Sequence, residues 1–439
     1  MNLKKRPIKK IYEYDWWYDH LRYIVDAYIF GSFRKIRYEG LEQIPKDGSV
    51  IFSPNHCNAL MDPFAVLAMD HSRKVFVARA DIFRNPVLRK ILTFLRIMPI
   101  NRVRDGFRSV LRSEDTIEKS VEVLRNGIPF CILPEGTHRP MHSLLPLGKG
   151  ISRIAAGAAA QLGASRPVYI VPVGCEYGDY FRFRSTLLVT VGKPIDITAL
   201  IAADPACPEP ELYLRIRERT ADAMKQLIVY IPDDEDYDAI WELARLSSGT
   251  VPERKLRARL DANRKAAETL TRLREESPEE ARRLFEKAAA FGAARKRARI
   301  SLHTVQTRRP LASALGRTLL TLLWLPLALV LGAASLPAWG IGEILASRVE
   351  DRSFRNSFRC GVIILVWTLM LLAGGITLFC TLKWYWALAA LALLVPAPML
   401  TYDYFEQVRR TASAWRYFCN GTLRRQTEQL KQELKKWNL

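Results

Sequence analysis

The chain has 439 residues, with 66 Lys and Arg against 45 Asp and Glu, for a formal net charge of +21. That length accommodates one large α/β domain plus a second region, so burial of a core is not limiting. The charge implies an anionic partner, nucleic acid or acidic lipid, and apolar runs near the C-terminus favour lipid and exclude nucleic acid.

In chain order, the basic start Met1 to Arg6 leads into residues 7–19, which carry too many polar groups for a signal-peptide core. Residues 1–37 are expected to form an interfacial helical segment, because residues 11–36 mix Tyr12, Trp16, Trp17, Tyr23 and Tyr28 with scattered charges. From residue 49 short apolar runs alternate with helical ones. Strands are expected at 50–52, 75–77, 98–100, 130–133, 168–171 and 187–191, with helices at about 63–70, 84–96, 108–126 and 150–162. The fold class is therefore α/β, a mainly parallel sheet flanked by helices over 38–235, with a C-terminal helical membrane region. Such sheets carry their active residues in loops beyond strand ends.

After Asp233-Asp234 the composition shifts, and residues 236–310 read as a charged, solvated helical linker. A membrane region follows at 311–405, with apolar segments at 318–345, 360–382 and 385–402, and then a basic cytoplasmic tail at 406–439. The last two segments would reach about 34 Å and 27 Å as helices and are expected to be transmembrane, with Lys383 to Trp386 as the interfacial turn. The first segment has arginines on both flanks, Arg309 and Arg317 before, Arg348 and Arg352 after, which places both flanks on one side. A re-entrant or sharply bent pair of half-helices around Pro326 and Pro337 reconciles this, a plain third crossing being the alternative. The seven scattered cysteines show no metal-ligand spacing, so free thiols and no metal are expected.

Two segments carry chemistry. Asn55-His56-Cys57-Asn58-Ala59-Leu60-Met61-Asp62-Pro63 offers a histidine base and a carboxylate to fix its tautomer. Five residues separate the two, a step of about 600° on a helix, so the segment must begin as a turn with Asp62 near the start of the helix that Pro63 opens. Pro134-Glu135-Gly136-Thr137-His138-Arg139 offers a tight polar turn in which Thr137 can donate to an anion. The chain has no Gly-x-Ser-x-Gly elbow, no Walker phosphate loop and no His-Glu-x-x-His, which leaves direct attack without a covalent intermediate.

Together these motifs resemble the glycerolipid acyltransferase superfamily, whose members move an acyl chain from a thioester to the hydroxyl of a glycerol phosphate. The resemblance covers roughly residues 38–200, in the branch with the longer His-Asp spacing. It also takes in Met98-Pro99-Ile100-Asn101-Arg102 and Ile170-Val171-Pro172-Val173-Gly174. It implies His56 and Asp62 as catalytic, and Arg102, Glu135, Gly136, Thr137, His138, Arg139 and Pro172 as substrate-binding. Glu135 would orient Arg102 or the loop. Family members place Arg directly after the Thr; here His138 stands there and Arg139 follows, leaving open which of them holds the phosphate. Lys149, in Leu147-Gly148-Lys149-Gly150, is a further candidate for an anion.

The expected function is an integral membrane enzyme with its catalytic domain on the cytoplasmic face, acylating 1-acyl-glycerol-3-phosphate (lysophosphatidic acid) in phospholipid biosynthesis. Glycerol 3-phosphate, dihydroxyacetone phosphate or another lyso-lipid are alternative acceptors, and a non-catalytic lipid-binding protein is the rival of another class. The expected partners are the lipid bilayer, the acceptor, and acyl-CoA or acyl-carrier protein as co-substrate, with no cofactor.

Overall fold

Continuous apolar runs such as Val50-Ile51-Phe52 suit strands covered on both faces, and they form the centre of the sheet. The computed structural model describes residues 11–100 and 117–439. Its first part runs α1 (Trp16–Ser32), β1 (Phe33–Glu39), β2 (Ser49–Pro54), α2 (Met61–Leu67), β3 (Val75–Arg79), α3 (Pro86–Phe94), β4 (Ile97–Ile100) and helical residues 117–125, here α4. Then come β5 (Phe130–Cys131), α5 (Lys149–Leu162), β6 (Val168–Tyr177), β7 (Ser185–Val191), β8 (Ile195–Asp196), α6 (Ile197–Ala203) and α7 (Glu209–Lys225).

The strand order is β1-β7-β6-β2-β5-β3-β4, with β8 against β6. All pairings are parallel except those of β6 with β7 and with β8, so the α/β class with a mainly parallel sheet holds. One face buries Ile51, Ile170, Leu124 and Ile154 under α4, α5 and α7. The other buries Phe52, Val171, Val173 and Met61 with Ile29 of α1, and extends to Leu331, Trp367 and Met399 of the C-terminal region.

Strand β1 was expected as the end of the N-terminal helix. Its charges point outward along an edge strand, with Arg34 and Lys35 exposed, and pairing with β7 decides its conformation.

Helices α8 (Tyr237–Ser247), α9 (Leu256–Glu276), α10 (Pro278–Arg297) and α11 (Leu302–Val305) follow. The solvated hairpin expected there is instead packed: Ile240, Leu260, Leu270, Phe285 and Phe291 form a second core. The C-terminal tail joins it through Leu423, Leu430 and Leu434.

The remaining helices are α12 (Pro310–Ser347), α13 (Phe354–Val362), α14 (Thr368–Thr381), α15 (Trp384–Leu394), α16 (Ala397–Cys419) and α17 (Gly421–Lys436). Residues 310–347 form one helix, with Pro326 and Pro337 inside it, in place of two half-helices. A π-turn at Ile363–Trp367 joins α13 to α14. By length and apolarity alone, Pro310–Ser347 and Phe354–Thr381 are each long enough to cross a membrane. The segment expected as a crossing at 385–402 breaks between α15 and α16 with a 44° bend, where Pro396 removes the amide that would continue α15.

Candidate active site

The site is built where β2 ends. Asn55 pins the following loop to β6: its Nδ2 donates to the Cys175 carbonyl (3.2 Å) and its Oδ1 accepts from the Cys175 amide (2.7 Å). Ala59 takes a left-handed backbone (φ 46°) that reverses the chain into α2. Asp62, in the first turn of that helix, is fully buried.

The Asp62 carboxylate is saturated by donors. Its Oδ2 accepts from His56 Nδ1 at 2.8 Å and from the amides of Cys57 (2.8 Å) and Asn58 (2.7 Å). Its Oδ1 accepts from the Tyr177 hydroxyl at 2.8 Å. Burial pushes the Tyr177 phenol well up, so it stays a donor. With a carboxylate on Nδ1, the His56 tautomer carries its proton there and leaves Nε2 as a lone-pair acceptor. Asp62 therefore orients the histidine and ties down the loop, and does not cap α2.

The second motif is zipped to the first. The His56 amide donates to Glu135 Oε1 (2.6 Å), and the His56 carbonyl accepts from the Arg139 amide (3.0 Å). Glu135 Oε2 accepts from the Leu145 amide at 2.8 Å. Burial pushes the Glu135 carboxyl up to about 7. Both oxygens face backbone, so among the described residues Glu135 shapes the loop and meets no arginine. Gly136 (φ 67°) makes the tight turn that a side chain would strain. Thr137 is exposed at its tip. The Gly148 amide donates to the Pro134 carbonyl (2.8 Å), which seats Lys149, exposed, at the start of α5.

His138 and Arg139 point to different partners. The His138 ring lies edge-on to His56, centroids 5.3 Å apart, and edge-on to Phe354 at 4.9 Å. Its Nε2 is 2.6 Å from Asp351 Oδ2. Arg139 pairs instead with Asp233 and donates to Ser143 Oγ (3.1 Å).

Pro172 is in the middle of β6, opposite Ser53. It lies on the other face of the strand from Tyr177, beside Gly192, and is not brought to the His-Asp pair. Arg102 lies outside the described residues. Sequence reasoning missed Tyr177, Asp351 and Phe354, which reach the site from 115, 213 and 216 residues away along the chain. No local pattern marks them.

An Acyltransferase family model matches residues 35–176. The chloroplastic 1-acyl-sn-glycerol-3-phosphate acyltransferase LPAT1 of Arabidopsis thaliana is 29% identical over 126 residues, 28% of this chain and 33% of that protein. The chloroplastic BAT2 of Brassica napus, with the same descriptive name, is 29% identical over 28% of this chain and 34% of its own. The chain thus matches about a third of the length of these relatives. The crystal structure of the 1-acyl-sn-glycerophosphate acyltransferase PlsC from Thermotoga maritima aligns over 48% of this chain and 79% of its own. Its identity is 20% and its TM-score 0.34. The matched residues 35–176 hold the His56–Asp62 pair and the Pro134–Arg139 turn, so both chemistry-bearing motifs lie inside the stretch that is similar to acyltransferases.

Proposed function

We propose that the chain is a membrane-bound O-acyltransferase that moves a fatty acyl group from a thioester to the hydroxyl of 1-acyl-glycerol-3-phosphate, on the cytoplasmic face. The observation that carries this reading is the His56 Nδ1–Asp62 contact with Nε2 left as acceptor. The names of the plant relatives support the choice of acceptor.

In this mechanism Nε2 removes the acceptor's hydroxyl proton as its oxygen attacks the thioester carbonyl. Asp62 stabilises the imidazolium that forms. The tetrahedral intermediate collapses with cleavage of the carbon–sulfur bond, and the leaving thiolate takes the proton from Nε2. Backbone N–H groups stabilise the oxyanion. The acceptor's phosphate is held by Thr137 and His138, and the family resemblance adds Arg102 as a further phosphate-binding residue. Arg139, which pairs with Asp233 and donates to Ser143, supports the loop.

Thiol release from acyl-CoA by membranes carrying the protein, with and without 1-acyl-glycerol-3-phosphate, tests the reading. Acceptor-dependent release is expected. Equal release with a phosphate-free acceptor removes the anion site, and no release from either acyl-CoA or acyl-carrier protein contradicts the activity.

A further inference from the structure

Helix α12 is apolar enough to cross a membrane, but its surroundings oppose a crossing. Its 38 residues extend about 57 Å, and it is held to the polar body near both ends. Near the start, Arg317 contacts His303 Nε2 (3.0 Å), and the Trp415 indole donates to Thr318 Oγ1 (2.9 Å). In the middle Thr321 meets Thr411 (2.9 Å) and Ser335 meets Thr401 (3.1 Å). Near the end Glu343 pairs with Arg359 (2.8 Å), and just beyond it Asp351 reaches His138 and Asn356 donates to the Tyr180 carbonyl (2.9 Å).

The partner helix α16 runs antiparallel to α12 and is itself bound to the body at successive levels. Asp403 pairs with Arg34 (3.0 Å) and Arg184 (2.6 Å), Glu406 with Arg182 (3.1 Å), and Arg410 with Glu253 (3.3 Å). The Ser413 hydroxyl accepts from the Ser301 amide (2.9 Å). The most apolar stretch of α12, residues 319–330, lies level with these groups. A transverse α12 would carry the ion pairs, and the sheet edge that supplies them, into hydrocarbon, where charges are costly.

The face of α12 turned from the body is uniformly apolar, with Leu315, Leu319, Leu322, Leu323, Val330 and Ile344 exposed. Arginines stand at its two ends, Arg308 and Arg309 before and Arg348 and Arg352 after. A helix lying flat would place this side in the acyl chains and its end cations among anionic headgroups. The neighbouring hairpin agrees. It leaves the body after Thr368, which meets the Tyr28 hydroxyl (3.0 Å), and is back by Val395, whose carbonyl accepts from Trp367 Nε1 (3.2 Å).

We propose that α12 lies along the bilayer within one leaflet, as an in-plane lipid-binding face, and that only the α14–α15 hairpin projects inward. Both arginine flanks then sit on one side without any re-entrant bend. The C-terminal end of α12 brings the His56–His138 site to headgroup level, where a lysolipid can reach it sideways.

The test uses the full chain with native cysteines replaced, in vesicles of phosphatidylethanolamine and phosphatidylglycerol. Leu319→Cys, Val330→Cys and Ile341→Cys lie on nearly one helix face and about 16 Å apart in sequence order. Each carries a nitroxide whose depth is read from oxygen and nickel-complex accessibility. Equal depth at all three within one leaflet is the expected result. Depths that step by about 16 Å show a crossing, Val330 deepest shows a re-entrant bend, and water-like exposure at all three shows that lipid does not cover this face. Any of these overturns the proposal. Acyl transfer by the same labelled proteins is measured in parallel, so a wrong depth profile and a wrong activity are told apart.

Discussion

The Tyr177 hydroxyl lies 2.8 Å from Asp62 Oδ1, while the carboxylate's other oxygen takes the His56 ring. The tyrosine thus limits how strongly Asp62 can pull on Nδ1–H. Tyr177→Phe removes a buried hydrogen bond to a charged group, worth about 1.5–3 kcal/mol. The expected result is a roughly 10-fold fall in kcat with the acceptor KM unchanged, because the carboxylate that orients His56 loses one of its own anchors. An unchanged kcat would separate Tyr177 from the histidine.

Asp351 comes from the segment after α12 and holds His138 next to His56. Asp351→Asn and His138→Ala are expected to raise the apparent KM for the phosphorylated acceptor about 10-fold, with kcat largely kept. Arg139→Ala should leave that KM within about 2-fold, since lost ground-state binding appears in KM. Steady-state kinetics on the three variants decides it. The reverse ranking would give the phosphate to Arg139.

Glu135 titrates in a useful range, its carboxyl raised by burial to about 7. The unfolded chain releases this proton near the ordinary glutamate value of about 4.3. The folded state therefore binds the proton more tightly, and the contribution to stability is greatest at low pH and is lost as pH rises towards 7, by at most on the order of 3 kcal/mol. Relative to Glu135→Gln, the thermal midpoint of the detergent-solubilised wild type should fall between pH 5 and 7 and level off above. A difference independent of pH would contradict the raised value.

Asp403 ties α16 to the sheet through Arg34 and Arg184. Asp403→Ala leaves the largely buried Arg184 guanidinium without its carboxylate, a loss of up to about 3–5 kcal/mol for a buried pair, while the exposed Arg34 adds little. Limited proteolysis should show faster cleavage within residues 397–419 than in wild type. Equal cleavage would mean that the apolar contacts, such as Met399 against Gly31, suffice.

What could be read from the sequence was what is local in it. His56 and Asp62 stand within one turn and its following helix, and Glu135 to Arg139 within another, so their residue types and spacing mark a site. Tyr177 and Asp351 look like any strand-end tyrosine and any loop aspartate until the sheet and α12 bring them to His56. Strand β1 was hidden by the charges of an edge, Arg34, Lys35 and Arg37. The bend expected around Pro326 and Pro337 failed for a different reason. A helix tolerates proline when its freed carbonyls are served by neighbours, and the charge argument for same-sided flanks does not require a bend when the whole helix can lie flat.

In the proposed mechanism everything depends on His56 as the base. His56→Ala, assayed in membranes for acceptor-dependent thiol release from acyl-CoA, should lose about 10²–10⁴-fold in kcat, the usual worth of a positioned general base. Its membrane association and thermal midpoint should stay close to wild type. Near wild-type turnover in that variant would contradict the mechanism.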